Sequence, residues 1–106
     1  MEEKPFSANV IVHQDEGITL VNICDRELVG RTIQGGEVDL HISEEFYGGE
    51  LIGEEEALRL LQTSTYISLA GERIVRLALE AGMASRLAVK RVGSTPFLMI
   101  YKFHRW

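Results

Sequence analysis

The sequence is short of several things, and each shortage excludes something. It has one cysteine, Cys24, so no internal disulfide can staple the fold. That usage fits a reducing compartment, and a cytoplasmic location is expected. The longest fully apolar run is Phe97 to Tyr101. That is far too short for a helical membrane span. The start, Met-Glu-Glu-Lys-Pro, is acidic and has no apolar stretch, so a secretory signal is not expected. Only two prolines occur, and no Pro/Gly/Ser linker divides the chain. No lysine lies between Lys4 and Lys90, and neither GxxxxGK[ST] nor GxGxxG occurs. A lysine-bearing phosphate loop is therefore absent.

What remains is ordinary for a globular domain. The chain has 106 residues, 45% of them hydrophobic and 25% charged. At this length one domain spanning residues 1–106 is expected, with a core that needs no staples. The net charge is −5, and it is unevenly spread. Residues 1–60 hold 14 acidic and 4 basic side chains; residues 61–106 hold 2 and 7. An acidic front repels nucleic acid, whereas a basic back can attract it.

Patterning gives the elements. "ANVIVH" (8–13) and "ITLVNIC" (18–24) are rich in β-branched residues, with Gly17 placed for the positive φ of a hairpin turn. "VDLHIS" (38–43) alternates, with Val38, Leu40 and Ile42 on one face. A short extended piece around Arg31 to Ile33 can pair with it. "GEEEALRLLQT" (53–63) carries a helical stripe of Ala57, Leu58, Leu60 and Leu61 behind three glutamates. The spacing predicts a second helix over about 65–81. Ile67, Ala70, Gly71, Ile74, Val75, Ala78 and Ala81 share one side of it, Glu72 pairs with Arg76, and Gly82 stops it. "LAVKRV" (87–92) and "FLMIYKF" (97–103) read as closing strands. The order β-β-β(β)-α-α-β-β predicts an α+β fold, with a mostly antiparallel sheet and two helices on one face.

The stretch "EFYGGE" (45–50) reads as a corner. Ser43 caps one helical turn, Gly48 takes the left-handed conformation that ends it, and Gly49 allows close approach. Phe46 and Tyr47 bury. A phosphate site here is opposed by Glu54, Glu55 and Glu56, which already put negative charge at the next helix start.

No catalytic constellation stands out. His13 and Cys24 sit roughly 20 Å apart on a hairpin, too far to share a zinc ion at about 2 Å. His41 faces solvent with Asp39, and Cys24 acts as a small buried hydrophobe. No metal site, cofactor or catalytic residue is expected, and an enzyme is the weaker reading. A pocket beside the corner, lined by Tyr47, Gly48, Gly49, Glu50, Glu72 and Arg73, is the alternative. Glu50 and Arg73 equally suit a structural ion pair.

The basic, aromatic C-terminal segment is the stronger lead. Lys90, Arg91, Lys102, Arg105 and Trp106 suit a surface where charge follows phosphates and rings stack on bases. Phe97, Met99, Tyr101 and Phe103 alternate and are expected on a core-facing side.

Three pieces together carry a resemblance: "FYGGE" (46–50), "LAGERIV" (69–75) and "CDRELVGRT" (24–32). With them the chain, over roughly residues 8–103, resembles a family of small archaeal proteins catalogued as domain of unknown function number 424. This chain has Ser68 where the family often has Asn. The resemblance implies a compact cytoplasmic α+β domain and an association with translation genes, and it supplies no activity, cofactor or catalytic residue. The expected function is a non-enzymatic binding module for RNA or a translation-associated protein. A small-molecule pocket at the Gly48-Gly49 corner, or an adaptor using the acidic front, are the alternatives.

Overall fold

The first β-branched runs pair as read. In the computed structural model, which describes residues 3–102, β1 (Phe6–His13) and β2 (Ile18–Asp25) form an antiparallel hairpin. Gly17 closes it at φ +65°. Next come β3 (Thr32–Gln34) and β4 (Asp39–His41), a separate antiparallel ribbon. Then follow α1 (Glu44–Tyr47), β5 (Glu50–Ile52), α2 (Glu54–Thr63), β6 (Tyr66–Ala70), α3 (Glu72–Glu80), β7 (Lys90–Val92) and β8 (Thr95–Tyr101). The main sheet has the order β5-β1-β2-β6-β8-β7. Every neighbour pair is antiparallel except β2 and β6. The fold is α+β, as the pattern indicates.

One face of this sheet lies under α2 and α3. Ala8, Val21, Ile23, Ile67, Leu69, Leu98 and Ile100 meet Ala57, Leu60, Leu61, Ile74, Val75 and Ala78 there. Each large aliphatic so buried contributes about 1.5–3 kcal/mol. The other face is covered at one end only. There α1 and the β3–β4 ribbon bring Tyr47, Ile42 and Ile33 onto Cys24, Ala70 and Phe97.

The structure corrects several expectations. Residues 66–70 are not helical; they form a central strand, and α3 starts only at Glu72. Ile67 and Leu69 have strands on both sides, and burial of the period-2 set overrides the helical spacing. Gly71 is thus the N-cap of α3, at φ +121°, rather than a mid-helix residue.

Gly48 is not left-handed. It is extended at φ −74°, ψ 151°. Its N–H closes the α1 turn on the Glu44 carbonyl at 2.7 Å. A Cβ would collide with that same oxygen, so close approach is what requires glycine. Gly49 likewise lies against the Ala8 carbonyl.

On β8 the parity is reversed. Pro96, Leu98 and Ile100 face the helices, while Met99 and Tyr101 are 58% and 49% exposed. "FLMIY" is apolar throughout, so alternation cannot choose its face. Phe103 lies outside the described residues.

Phe46 is 50% exposed, and only Tyr47 of that pair buries. Val38 and Leu40 are exposed as well, while Ile33, in register with Leu40, packs on the cluster. The Ser43 cap forms as expected, its Oγ accepting from Phe46 N at 3.1 Å.

Candidate functional site

The covered end of the sheet is built from short-range chemistry. Asp25 ends β2 beside the start of α3, since β2 and β6 run parallel. Its carboxylate accepts from Arg73 N at 3.0 Å and Ile74 N at 2.9 Å, satisfying two orphan donors of the helix. Gly71 makes this possible, because a Cβ there would strike the carboxylate. Glu27 takes the Arg73 guanidinium at 2.7 Å. Burial pushes the Asp25 pKa up; the two backbone donors and the Arg73 charge oppose that shift, and Glu27 adds to it. Cys24 is fully buried, and burial beside Asp25 and Glu27 pushes its thiol up to about 12. It is no nucleophile at neutral pH.

The same end holds the FYGG corner. Ser7 Oγ donates to Tyr47 O at 2.9 Å, and Asn9 Nδ2 donates to Glu45 O at 2.9 Å and Phe46 O at 3.2 Å. These side chains satisfy the carbonyls at the end of α1. Tyr47 Oη and Ser68 Oγ share a hydrogen bond of 3.1 Å. Burial raises the Tyr47 pKa, and the Ser68 bond partly offsets this.

The predicted pocket residues do not converge on one cavity. Gly49 and Glu50 line a cleft at the β1 edge with Asn9, Glu56 and Arg59. Glu72 and Arg73 line another with Asp25, Glu27 and Ser94. Tyr47 lies buried under α1, next to Gly48. Arg73 pairs with Glu27 and Asp25, and the ion pair expected with Glu50 does not form. Glu72 pairs with Arg91 at 3.0 Å rather than with Arg76.

The predicted nucleic-acid contacts also separate. Lys102 Nζ donates to the carbonyls of Leu61 and Gln62, closing the C-terminal end of α2. Arg91 lies on the helix side of β7, in register with Pro96. Lys90 lies on the opposite side, in register with Phe97, and is exposed. Arg105 and Trp106 lie outside the described residues.

Sequence reasoning missed the open half of the second sheet face. Register places Asn9, Asn22, Ser68 and Met99 in one row, and Ile11, Leu20, Tyr66 and Tyr101 in the next. Tyr66 and Tyr101 pack edge to face with ring centres 5.5 Å apart. Asn22 is only 7% exposed. No strand residue directed to this face is acidic, in a chain with 16 acids. The signal for this site is the polar and aromatic parity of β2, β6 and β8, legible only once β6 is known as a strand.

The chain matches, over residues 12–103, the family described as "Protein of unknown function (DUF424)". The chain belongs to that family. The three sequence pieces that suggested the family converge at the covered end: Cys24, Asp25 and Glu27 from one, Tyr47 to Gly49 from another, Gly71 and Arg73 from the third. A crystal structure of an uncharacterized conserved protein from Methanopyrus kandleri is similar, with TM-score 0.78 and 24% identity over 95% of this chain and 94% of that one. At that identity the likeness shows the fold. No curated protein matches the chain. No helix among the described residues is long and apolar enough to cross a membrane.

Proposed function

We propose that this member of the DUF424 family is a non-enzymatic binding module for single-stranded RNA, with the open half of its sheet as the contact surface. One observation carries the reading: a sheet face without acidic strand residues among the described residues, which exposes Tyr101 and Met99 beside the half-buried Tyr66. Bases stack on exposed aromatic rings. Lys90 supplies a positive charge on the same side. Arg105 and Trp106 remain candidate contacts of this proposal and lie outside the described residues. Lys102 is removed from the contact set, because its ammonium already serves α2.

With so few cations, stacking dominates and phosphate contacts are a minor part. Affinity is therefore modest, and its salt dependence shallow. The test is fluorescence anisotropy of a short labelled RNA across a range of salt. Tyr101→Ala costs about 1–3 kcal/mol of binding with little change in salt slope. Lys90→Ala lowers the slope by about 0.7. Lys102→Ala leaves the slope unchanged. Absence of binding at low salt, or binding indifferent to both Tyr101→Ala and Tyr66→Ala, removes this reading.

A further inference from the structure

A second surface lies on the helix side of the sheet, away from the open face. Between α3 and β7 runs a cleft of about 370 Å³, with walls from Val75, Leu79, Val89 and Pro96. Three arginines, Arg76, Arg86 and Arg91, reach into its lining, and Glu72 is the one acid there. Within this lining three guanidiniums face one carboxylate, and Arg76 also borders a neighbouring cleft with Glu3, Glu54 and Glu80.

The chain has acids to spare, yet among the described residues neither Arg76 nor Arg86 forms an ion pair. Helix spacing offers Arg76 a partner in Glu72, four residues earlier. Glu72 turns instead to Arg91 Nη1, which also donates to Ser94 O at 2.9 Å. Arg91 is thereby fixed in place, while Arg76 and Arg86 keep their donors unused by acids. The apolar walls lower the local dielectric, so an anion entering is held more strongly than on open surface. Guanidiniums present paired donors that match phosphate oxygens. The volume falls at the small end of the range for small-molecule sites.

We infer that this cleft binds the phosphate dianion of a small phosphorylated molecule, with Arg76 and Arg86 as the binding cations and Arg91 as a positioned third. The inference stands apart from the RNA reading, since it uses the opposite side of the sheet and different residues.

Isothermal titration at low salt and near-neutral pH tests it with three probes: inorganic phosphate, AMP and adenosine. Phosphate and AMP are expected to bind, and adenosine is not. AMP tighter than phosphate indicates a phosphorylated organic ligand; equal affinities indicate free phosphate. Arg76→Gln with Arg86→Gln is expected to weaken binding at least about tenfold. Both side chains are exposed, and thermal melting checks that the double variant folds. Glu72→Gln is the second variant. It removes the competing charge and is expected to tighten phosphate binding by about threefold or more. No heat with either phosphate-bearing probe at about 10 mM overturns the inference, since that bounds binding as weaker than millimolar. So does adenosine binding as well as AMP, or a folded double variant that binds as the parent does.

Discussion

The two ends of the second sheet face share strands β2, β6 and β8 but differ in how their polar groups are used. At the covered end Ser7 and Asn9 each have a partner on another element, and at the same strand ends on the helix side Asp25 and Glu27 do too. In the open half Met99 and Tyr101 stand half out of the surface. The covered end is architecture, and its sequence motifs are explained by caps, a close-packed corner and an ion pair. The open half has no motif to explain, and it is the surface that the RNA proposal uses. A conspicuous motif and the proposed binding surface are therefore different parts of this chain.

Three substitutions sharpen that contrast. The largest effect is expected from Gly71→Ala. It adds backbone strain of about 1–3 kcal/mol at φ +121°, and overpacking against the Asp25 carboxylate of about 1–3 kcal/mol. Chemical denaturation should show a loss of about 3 kcal/mol or more. An unchanged midpoint would mean that β6 and α3 can rearrange, and the covered end is then not the rigid part.

Asp25→Asn comes next. An amide offers one acceptor oxygen where the carboxylate offers two, so a backbone donor of α3 loses its partner at a cost of about 1–2 kcal/mol. The pH dependence has a definite sign. Burial raises the Asp25 pKa in the folded state. The folded protein therefore holds the proton more tightly than the unfolded chain, and this contribution is full below the ordinary carboxylate pKa. It is lost as pH rises through the raised value. The stability gap between parent and Asp25→Asn should narrow as pH rises from acid toward neutral. Urea titrations at several pH values measure it; a widening gap would show that Arg73 and the helix donors win over burial.

Tyr101→Ala is expected to cost least in stability, at most about 0.5–1.5 kcal/mol from its edge-to-face contact with Tyr66. Thermal melting measures it. A loss comparable to that of Gly71→Ala would erase the distinction, because the open half would then be structural too.

The elements most clearly legible in the chain were those with a local cause. Gly17 and Gly82 take positive φ at a turn and at a helix end, as their positions indicate. The Ser43 cap and the acidic start of α2 are also short-range effects. Residues 66–70 were illegible for the opposite reason. "YISLA" carries a period of two, but Ala70, Gly71, Ile74 and Ala78 continue it with helical spacing, and the competing periods overlap. The candidate pocket failed to assemble because Glu50 and Glu72 belong to strand and helix starts in separate clefts. The arginine cleft needed the long-range pairing of β7 with β8 to bring Arg91 beside α3.

By itself, then, the sequence determined the α+β class, the first hairpin, helix α2, the small β3–β4 ribbon and the family. Those follow from neighbours within a few residues or from a pattern spread along the chain. The tertiary structure alone decided that residues 66–70 are a buried central strand, that Leu98 rather than Met99 faces the helices, and that Asp25 caps a helix 48 residues away. Each of these turns on burial and hydrogen bonding between distant segments, where side-chain parity and backbone donors are fixed only when the partner strand or helix is in place.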